Sequence, residues 1–540
     1  VWLDLQQRLR ARSITPHAGR LALLDLARSL SECDPVKPRA LHLGAVAVLW
    51  EGKLDLAEDL LVQALRHDLG EVRRAWVLDS IGQVLLWQGA WIEARRVFDG
   101  VVATKRKLND AVGTAITAGH RALLELGLGE AEAAAELCGW ALNTLGERLP
   151  QRTRLRLTNM LVQAYLEMGA IEQADSAAAP LRDWVRTVDH PQLTGFAALA
   201  LARLAMARCG NGEARTKPDT RARTEARTEA SGWLEMAELH LTGEERDLVP
   251  YWRLSLGLQP YQPTRPPRRA PSRDECTEGR LRLALLHAKK ADDPGDRREW
   301  LRWATGIATR VNQPLWSARV DAVYQDLDPV GWGQAVVQRF AGVDVEELDR
   351  TTLADVTVIF SDLVGFTSRS QVLSPHEVID TVRSLFELTA PLLARHRVRP
   401  LQHLGDGLLS VAQGPDHESR GLAFAQDLAE RASRVTRVRQ ALGEKLGLDV
   451  RAGVASGPVV LGRLGSLSKL EYLAIGRTTN LAARLQGAAE PCQVICDRSG
   501  ETRRGWVHDA EKVSLKGFAE PITVYRYRPT GEASDEMGLD

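Results

Sequence analysis

Cysteine is scarce: six in 540 residues are too few for a disulfide framework, and none falls in the paired C-x-x-C spacing of a zinc site. The closest pair, Cys492 and Cys496, brackets the apolar Val494 and Ile495 and reads as strand and turn residues rather than metal ligands. Net charge is absent too. Lys plus Arg is 70 and Asp plus Glu is 70, which removes any overall electrostatic case for nucleic acid or an anionic membrane. No stretch approaches the roughly 18 uninterrupted apolar residues of a membrane span, since the best run, Phe196 to Ala207, is broken by Arg203. The opening Val-Trp-Leu-Asp-Leu-Gln-Gln-Arg has no basic segment and no small-residue cleavage site, so no secretory leader is expected there. The first residue, Val1 rather than Met, suggests a non-ATG start or a truncated chain, and a cytoplasmic location is the simplest expectation. With 44% hydrophobic and 26% charged residues, wholesale disorder is excluded, and the length calls for several domains or a repeat array.

The first 209 residues are rich in Ala and Leu with helical apolar periodicity, and they repeat. Leu49-Trp50-Glu51-Gly52 leads to Ala57, Leu86-Trp87-Gln88-Gly89 to Ala94, and Leu166-Glu167-Met168-Gly169 to Ala174. A looser copy, Leu124-Glu125-Leu126-Gly127, precedes Ala131 and Ala133. Each unit reads as helix, Gly turn, and a second helix with a small residue at the crossing. This pattern resembles the tetratricopeptide repeat over about residues 35–205. It implies stacked helical hairpins whose concave surface suits a protein or peptide partner; a plain helical spacer or dimerisation stalk is the alternative.

Residues 210–231 form a low-complexity insertion in which Arg-Thr-Glu-Ala recurs (223–226 and 227–230), readable as a solvated helix or a disordered loop. Residues 232–258 are helical in pattern, 259–276 are a Pro- and Arg-rich segment expected to be an extended solvated linker, and 277–349 hold further helices and a connector. The region 350–528 alternates short β-rich runs with helices, and 529–540 is a tail. Strand 356–360, a capped helix from Ser374, a hairpin turning at Gly405-Asp406-Gly407, a helix over 417–446 and strands at 449–454 and 459–461 make a split βαβ arrangement. A helix over 476–485 and strands near 493–496 and 522–527 follow. The expected fold class is therefore multidomain, an all-α repeat array followed by an α+β ferredoxin-like domain.

Asp362 follows the first strand and Asp406 lies in the hairpin turn, and in a split βαβ sheet those two strands are neighbours. Two carboxylates plus a backbone carbonyl, that of Leu363, make a hard oxygen site suited to Mg²⁺ or Mn²⁺. Gly365 allows close backbone approach, so the N–H groups of Gly365, Phe366 and Thr367 can cradle a phosphate. Asn480 and Arg484, four apart on a helix, project from one face; an amide that orients a ribose beside a guanidinium that meets phosphate oxygens is a transition-state device.

Phe360-Ser361-Asp362-Leu363-Val364-Gly365-Phe366-Thr367, Leu404-Gly405-Asp406, Gly453-Val454-Ala455-Ser456-Gly457-Pro458-Val459 and Gly476-Arg477-Thr478-Thr479-Asn480-Leu481-Ala482-Ala483-Arg484-Leu485 resemble the class III adenylyl/guanylyl cyclase catalytic domain. Lys516-Gly517-Phe518 with Tyr525 is similar to its C-terminal end. The resemblance spans about 350–528. It implies a head-to-tail homodimer in which one subunit lends Asp362 and Asp406 with two metal ions, and the other lends Asn480 and Arg484. The implied reaction closes ATP to cyclic AMP and pyrophosphate in a signalling enzyme regulated through the N-terminal helices. Lys516 is the candidate for the β- and γ-phosphates. Two positions that read the base in family adenylyl cyclases, usually Lys and Asp or Thr, are here Gln402 and Leu473. Gln402 can donate and accept, and Leu473 can do neither, which leaves GTP use, relaxed base choice or a catalytically weak or silent regulatory dimer as alternatives.

Overall fold

A computed structural model describes residues 16–31, 33–187, 190–208, 220–241, 246–255, 258–262, 264–267, 271, 277–311, 313–341, 351–366, 370, 373–444, 447–466, 469–501, 505–518 and 520–530. Two compact units are present: Val1–Val101 with Val336–Asp540, and Val102–Ala335. The first 101 residues thus group with the C-terminal region rather than with the remainder of segment 1–209. The expected connector at 343–348 lies outside the described residues.

The N-terminal half is a run of helices: α1 (Pro16–Ser29), α2 (Lys37–Trp50), α3 (Leu54–Leu65), α4 (Gly70–Trp87), α5 (Trp91–Lys107), α6 (Ala111–Leu128), α7 (Ala131–Leu145), α8 (Gln151–Glu167), α9 (Ile171–Thr187), α10 (Pro191–Arg208) and α11 (Thr220–His240). Gly52, Gly89, Gly129 and Gly169 end α2, α4, α6 and α8 with φ of +72°, +77°, +92° and +72°, the left-handed conformation that glycine adopts without penalty. In all four turns the next residue donates its N–H back to a carbonyl five positions earlier: Lys53 to Val48, Ala90 to Leu85, Glu130 to Glu125, Ala170 to Tyr165. Five residues after each glycine stands an alanine with no exposed surface, Ala57, Ala94, Ala134 and Ala174. The looser copy is corrected accordingly. Gly127 lies inside α6, and the turn glycine and crossing alanine are Gly129 and Ala134.

Within the second unit the Arg-Thr-Glu-Ala repeats at 223–230 are helical, part of α11. Their four-residue period places Ala226, Ala230, Leu234 and Ala237 on one buried stripe, while Glu225 and Arg227 are exposed and Glu229 is half-buried. α12 (Leu248–Ser255), α13 (Glu278–Lys290), α14 (Pro294–Val311), α15 (Pro314–Leu327) and α16 (Pro329–Ala341) follow. Most described residues of the expected solvated linker are exposed, at 259, 260, 262, 264, 265 and 267, but it also touches the helices at Thr264, Pro266 and Pro271. Trp300 Nε1 of α14 donates to the Thr264 carbonyl at 2.9 Å, and Pro266 is buried. A Cβ on Gly306 of α14 would meet Pro271 at 3.2 Å.

The C-terminal region is an eight-stranded mixed sheet with helices on both faces. Its elements are β1 (Thr352–Leu363), α17 (Pro375–His396), β2 (Val398–Leu404), β3 (Gly407–Gln413), α18 (His417–Ala441), β4 (Val450–Ser466), β5 (Lys469–Ile475), α19 (Arg477–Ala488), β6 (Val494–Cys496), β7 (Trp506–Val513) and β8 (Ile522–Pro529). The strand order is β2-β3-β1-β4-β6-β8-β7, with β5 paired to β4; among the described residues only the β4–β6 pair is parallel. The βαββαβ portion therefore has the split βαβ topology. The two strands expected at 449–454 and 459–461 are one, continuing through Gly457 and Pro458, and β5 and β7 are additional. On one face Val356 and Val358 of β1 pack with Ala482 and Leu485 of α19. On the other, Thr357 and Ile359 sit against α18 so closely that a Cβ on Gly421 would meet Thr357 at 2.6 Å.

The outer sides of α17 and α18 are covered by α3 to α5, with polar contacts between them. Glu93 is buried against Arg439: Arg439 Nε donates to Glu93 Oε2 at 3.1 Å, a second nitrogen to Oε1, and Ser384 Oγ donates to Oε1 at 2.7 Å. Burial acts to raise the Glu93 pKa, but the Arg439 hydrogen bond and charge, with Arg96, overcome it and hold the carboxyl below its ordinary value. Around this pair, Arg431 Nη2 donates to Gln88 Oε1 at 3.1 Å and Gln88 Nε2 to Glu58 Oε2 at 3.0 Å. Glu387 of α17 accepts the Ile92 N–H at 2.9 Å at the start of α5. Its pKa is raised to about 7, by burial first, against the opposing backbone hydrogen bond.

Two outcomes are expected. Glu93→Ala leaves Arg439 buried without its anion and should cost about 3–5 kcal/mol in denaturant unfolding of this unit. Replacing Arg439 by Met in the same chain should recover much of that loss, and a Glu93→Ala midpoint equal to wild type would contradict the assignment. Glu387 binds its proton more tightly folded than unfolded, so its contribution to stability falls as pH rises from about 4.5 to about 7. Glu387→Gln should flatten that part of the stability–pH curve, read by thermal unfolding across the range.

Candidate active site

The site grows from strand register. β1 runs antiparallel between β3 and β4, with Asp362 opposite Gly407 on one side and Arg451 on the other. The β2–β3 connection has only two residues, Gly405 and Asp406; Gly405 takes φ +70°, as a tight hairpin turn requires at that position. Since Gly407 follows Asp406 directly, the register that pairs it with Asp362 brings the two carboxylates together. The pKa of Asp406 is pushed up to about 6, by burial first and then by the negative charge of Asp362. Asp362 Oδ2 also accepts from Arg451 Nη2 at 3.1 Å and from Gln486 Nε2 of α19 at 3.2 Å.

The donor set fits a divalent cation of the Mg²⁺ or Mn²⁺ type. Two carboxylates forced together bear a charge that a cation relieves, and Mg²⁺ is commonly held by one or two carboxylates with substrate phosphates completing its shell. Among the described residues there is no group of three or more His, Cys, Asp and Glu placed to hold a metal ion. Leu363 itself has a buried side chain, and the following Val364 N–H donates to the Asp449 carbonyl at 2.9 Å, which anchors the strand end. Gly365 is exposed with φ +70°, and the half-buried Phe366 accepts the Ser370 N–H at its carbonyl, 2.7 Å. Thr367 lies outside the described residues.

Asn480 and Arg484 are both exposed on α19, and among the described residues neither hydrogen-bonds to Asp362 or Asp406 of the same chain. The reason is angular. Gln486, which does reach Asp362, is two residues beyond Arg484 and so about 200° around the helix. α19 cannot rotate to change this. A Cβ on Gly453 of β4 would lie 2.1 Å from Gln486 N and 2.2 Å from the Ala482 carbonyl, so helix and strand backbones are in direct contact. Gln402 is half-buried on β2 beside an irregularity in the β2–β3 pairing, and Leu473 is half-buried on β5, paired to Gly462. Strands β2 and β5 touch, so these two positions lie on neighbouring elements. Lys516 is exposed in the turn before β8, where Gly517 takes φ +92°. Arg477 has its guanidinium 5.2 Å from the Phe518 ring centre.

Arg451 and Gln486 were not among the expected site residues. A charged residue inside the apolar run Val450 to Val454 was a signal that it needs a cross-strand partner; Gln486 offered none beyond its place after Arg484.

Residues 348–523 match the family described as Adenylate and Guanylate cyclase catalytic domain. Retinal guanylyl cyclase 2 of Bos taurus is 29% identical over 169 residues, 31% of this chain and 15% of that protein. Adenylate cyclase 1 of Rhizobium meliloti (strain 1021) is 30% identical over 137 residues, 25% of this chain and 20% of that protein. The chain thus spans about a fifth or less of the length of these curated relatives. Among solved structures, the guanylyl cyclase Cya2 aligns with a TM-score of 0.31 at 25% identity, covering 34% of this chain and 96% of that one. No helix among the described residues is long and apolar enough to cross a membrane. The matched relatives include both guanylyl and adenylate cyclases by name, and the C-terminal region of this chain is a class III adenylyl/guanylyl cyclase catalytic domain.

Proposed function

We propose that the chain is a nucleotide cyclase that converts ATP to cyclic AMP and pyrophosphate, acts as a head-to-tail homodimer, and is regulated through its N-terminal helices by a protein or peptide partner. The observation that carries this reading is the division of groups: Asp362 and Asp406 converge within one chain, while Asn480 and Arg484 face away from them, exposed. A second chain, related by a two-fold axis, is the natural supplier of the missing half at each site.

Asp362 and Asp406, with the Leu363 carbonyl, would hold the divalent cations. When bound, such cations neutralise the triphosphate and favour ionisation of the ribose 3′-hydroxyl. The 3′-oxygen then bonds to the α-phosphorus in line, the α–β phosphoanhydride bond breaks, its electron pair leaves on pyrophosphate, and the hydroxyl proton goes to solvent. Arg484 from the partner meets the charge growing on the α-phosphoryl oxygens, and Asn480 from the partner fixes the ribose. The exposed backbone at Gly365 with Phe366 and Thr367 receives phosphate oxygens, and Lys516 the β- and γ-phosphates. Positioning and charge do this work, so no nucleophilic Ser or Cys is needed.

A cyclase of relaxed or GTP specificity is the second reading, favoured by Leu473: a side chain with no donor or acceptor at that position reads neither purine edge strongly. The weaker base contact costs about 1–3 kcal/mol of discrimination.

Purified chain with Mn²⁺ and ATP, then GTP, assayed for cyclic product, is expected to show turnover with ATP at the higher rate. Asp362→Ala should abolish it, and wild type indistinguishable from Asp362→Ala on both nucleotides would reject the enzyme and leave a silent dimer. Mixing inactive Asp406→Ala with inactive Arg484→Ala should restore about a quarter of wild-type activity, since half the dimers then hold one intact site. No rescue despite demonstrated subunit exchange would contradict the shared site.

A further inference from the structure

Asp362 is the residue on which the proposed function turns, and its two oxygens have different neighbours. Oδ2 is held by two donors, Arg451 Nη2 at 3.1 Å and Gln486 Nε2 at 3.2 Å. Oδ1 lies on the Gly407 side, 3.5 Å from where a Cβ on that glycine would stand. The two donors come from elements that cannot drift. Arg451 sits directly across from Asp362 in the β1–β4 ladder, and Gln486 belongs to the segment of α19 that rests backbone to backbone on Gly453.

We infer that Arg451 and Gln486 are positioning residues that hold the Asp362 carboxylate in one orientation, Oδ2 bound and Oδ1 presented beside Asp406, so that a divalent cation meets a fixed ligand. The inference rests on the proposed metal role of Asp362. Gln486 serves its own chain, whereas Arg484, two residues earlier, faces away from that site. One helix therefore carries a group acting in cis and a group left for the partner. Outer residues that orient a metal ligand typically change metal affinity by about 10–100-fold when removed.

The test is Mn²⁺ binding to the full chain without nucleotide, read from the free-Mn²⁺ electron paramagnetic resonance signal. Gln486→Met keeps length and packing but loses the donor; Arg451→Lys keeps the charge but loses the guanidinium. Both should weaken Mn²⁺ binding by about 10-fold or more at wild-type thermal midpoints. Unchanged affinity in both overturns the inference, as does a wild-type chain that binds no Mn²⁺. A wild-type chain that binds Mn²⁺ but makes no cyclic nucleotide defeats the proposed activity and leaves this inference standing. Gln486→Met should also lower rescue in the subunit-mixing assay when carried on the Arg484→Ala chain, which supplies the working metal site. Carried on the Asp406→Ala chain it should have no effect; the reverse pattern would refute action in cis.

Discussion

The antiparallel register of β1 between β3 and β4 is the constraint from which the site follows. Side chains on a strand alternate with period two, so a slip by one residue would turn Asp362 to the opposite face and bury it against α18. The register is fixed from both sides, by the ladder to β3 that runs from Val356 to Asp362 and by the ladder to β4 that runs from Thr352 to Leu363. It sets three things at once: the nearness of Asp362 to Asp406, the cross-strand pairing of Asp362 with Arg451, and the seat of α19 at Gly453.

The opposite face of the sheet serves another purpose. α17 and α18 turn their outer sides to α3, α4 and α5, and the contact includes buried ion pairs and hydrogen bonds. A fully buried pair such as Glu93 and Arg439 adds little to stability compared with well-packed hydrophobic residues, but a wrong partner or register would strand a charge in the interior. The arrangement thus specifies how these helices sit on the catalytic domain. α17 follows the segment that carries Gly365 and Phe366, so Ser384 and Glu387, bonded to Glu93 and the start of α5, lie on the same helix that continues from that segment.

Much of the C-terminal domain was legible because its signals are local and strong. The Ser374 capping box and the Gly405 turn each have a single physical reading, and both formed as read. The misses have equally local causes. Gly457-Pro458 looks like a break, yet β4 runs through it, since β1 pairs with it there, Val356 opposite Gly457 and Asp355 opposite Pro458. The Gly127 reading failed because two glycines stand two residues apart, and only the later one takes positive φ. The mixed-charge repeat at 223–230 gave no apolar signal beyond its alanines, but alanine every fourth residue is enough for a close helix crossing. Gln486 was invisible for a different reason. Its role depends on where α19 rests in three dimensions, and no spacing along the chain encodes that.

The most direct measurement is a crystal structure grown with Mn²⁺ and a non-cyclisable ATP analogue, with anomalous scattering used to place the metal. Manganese peaks between the Asp362 and Asp406 carboxylates of one chain, with Arg484 of the second chain at the α-phosphate, are the predicted result. Manganese located elsewhere, or the two carboxylates bound to separate and distant ions, would contradict the account.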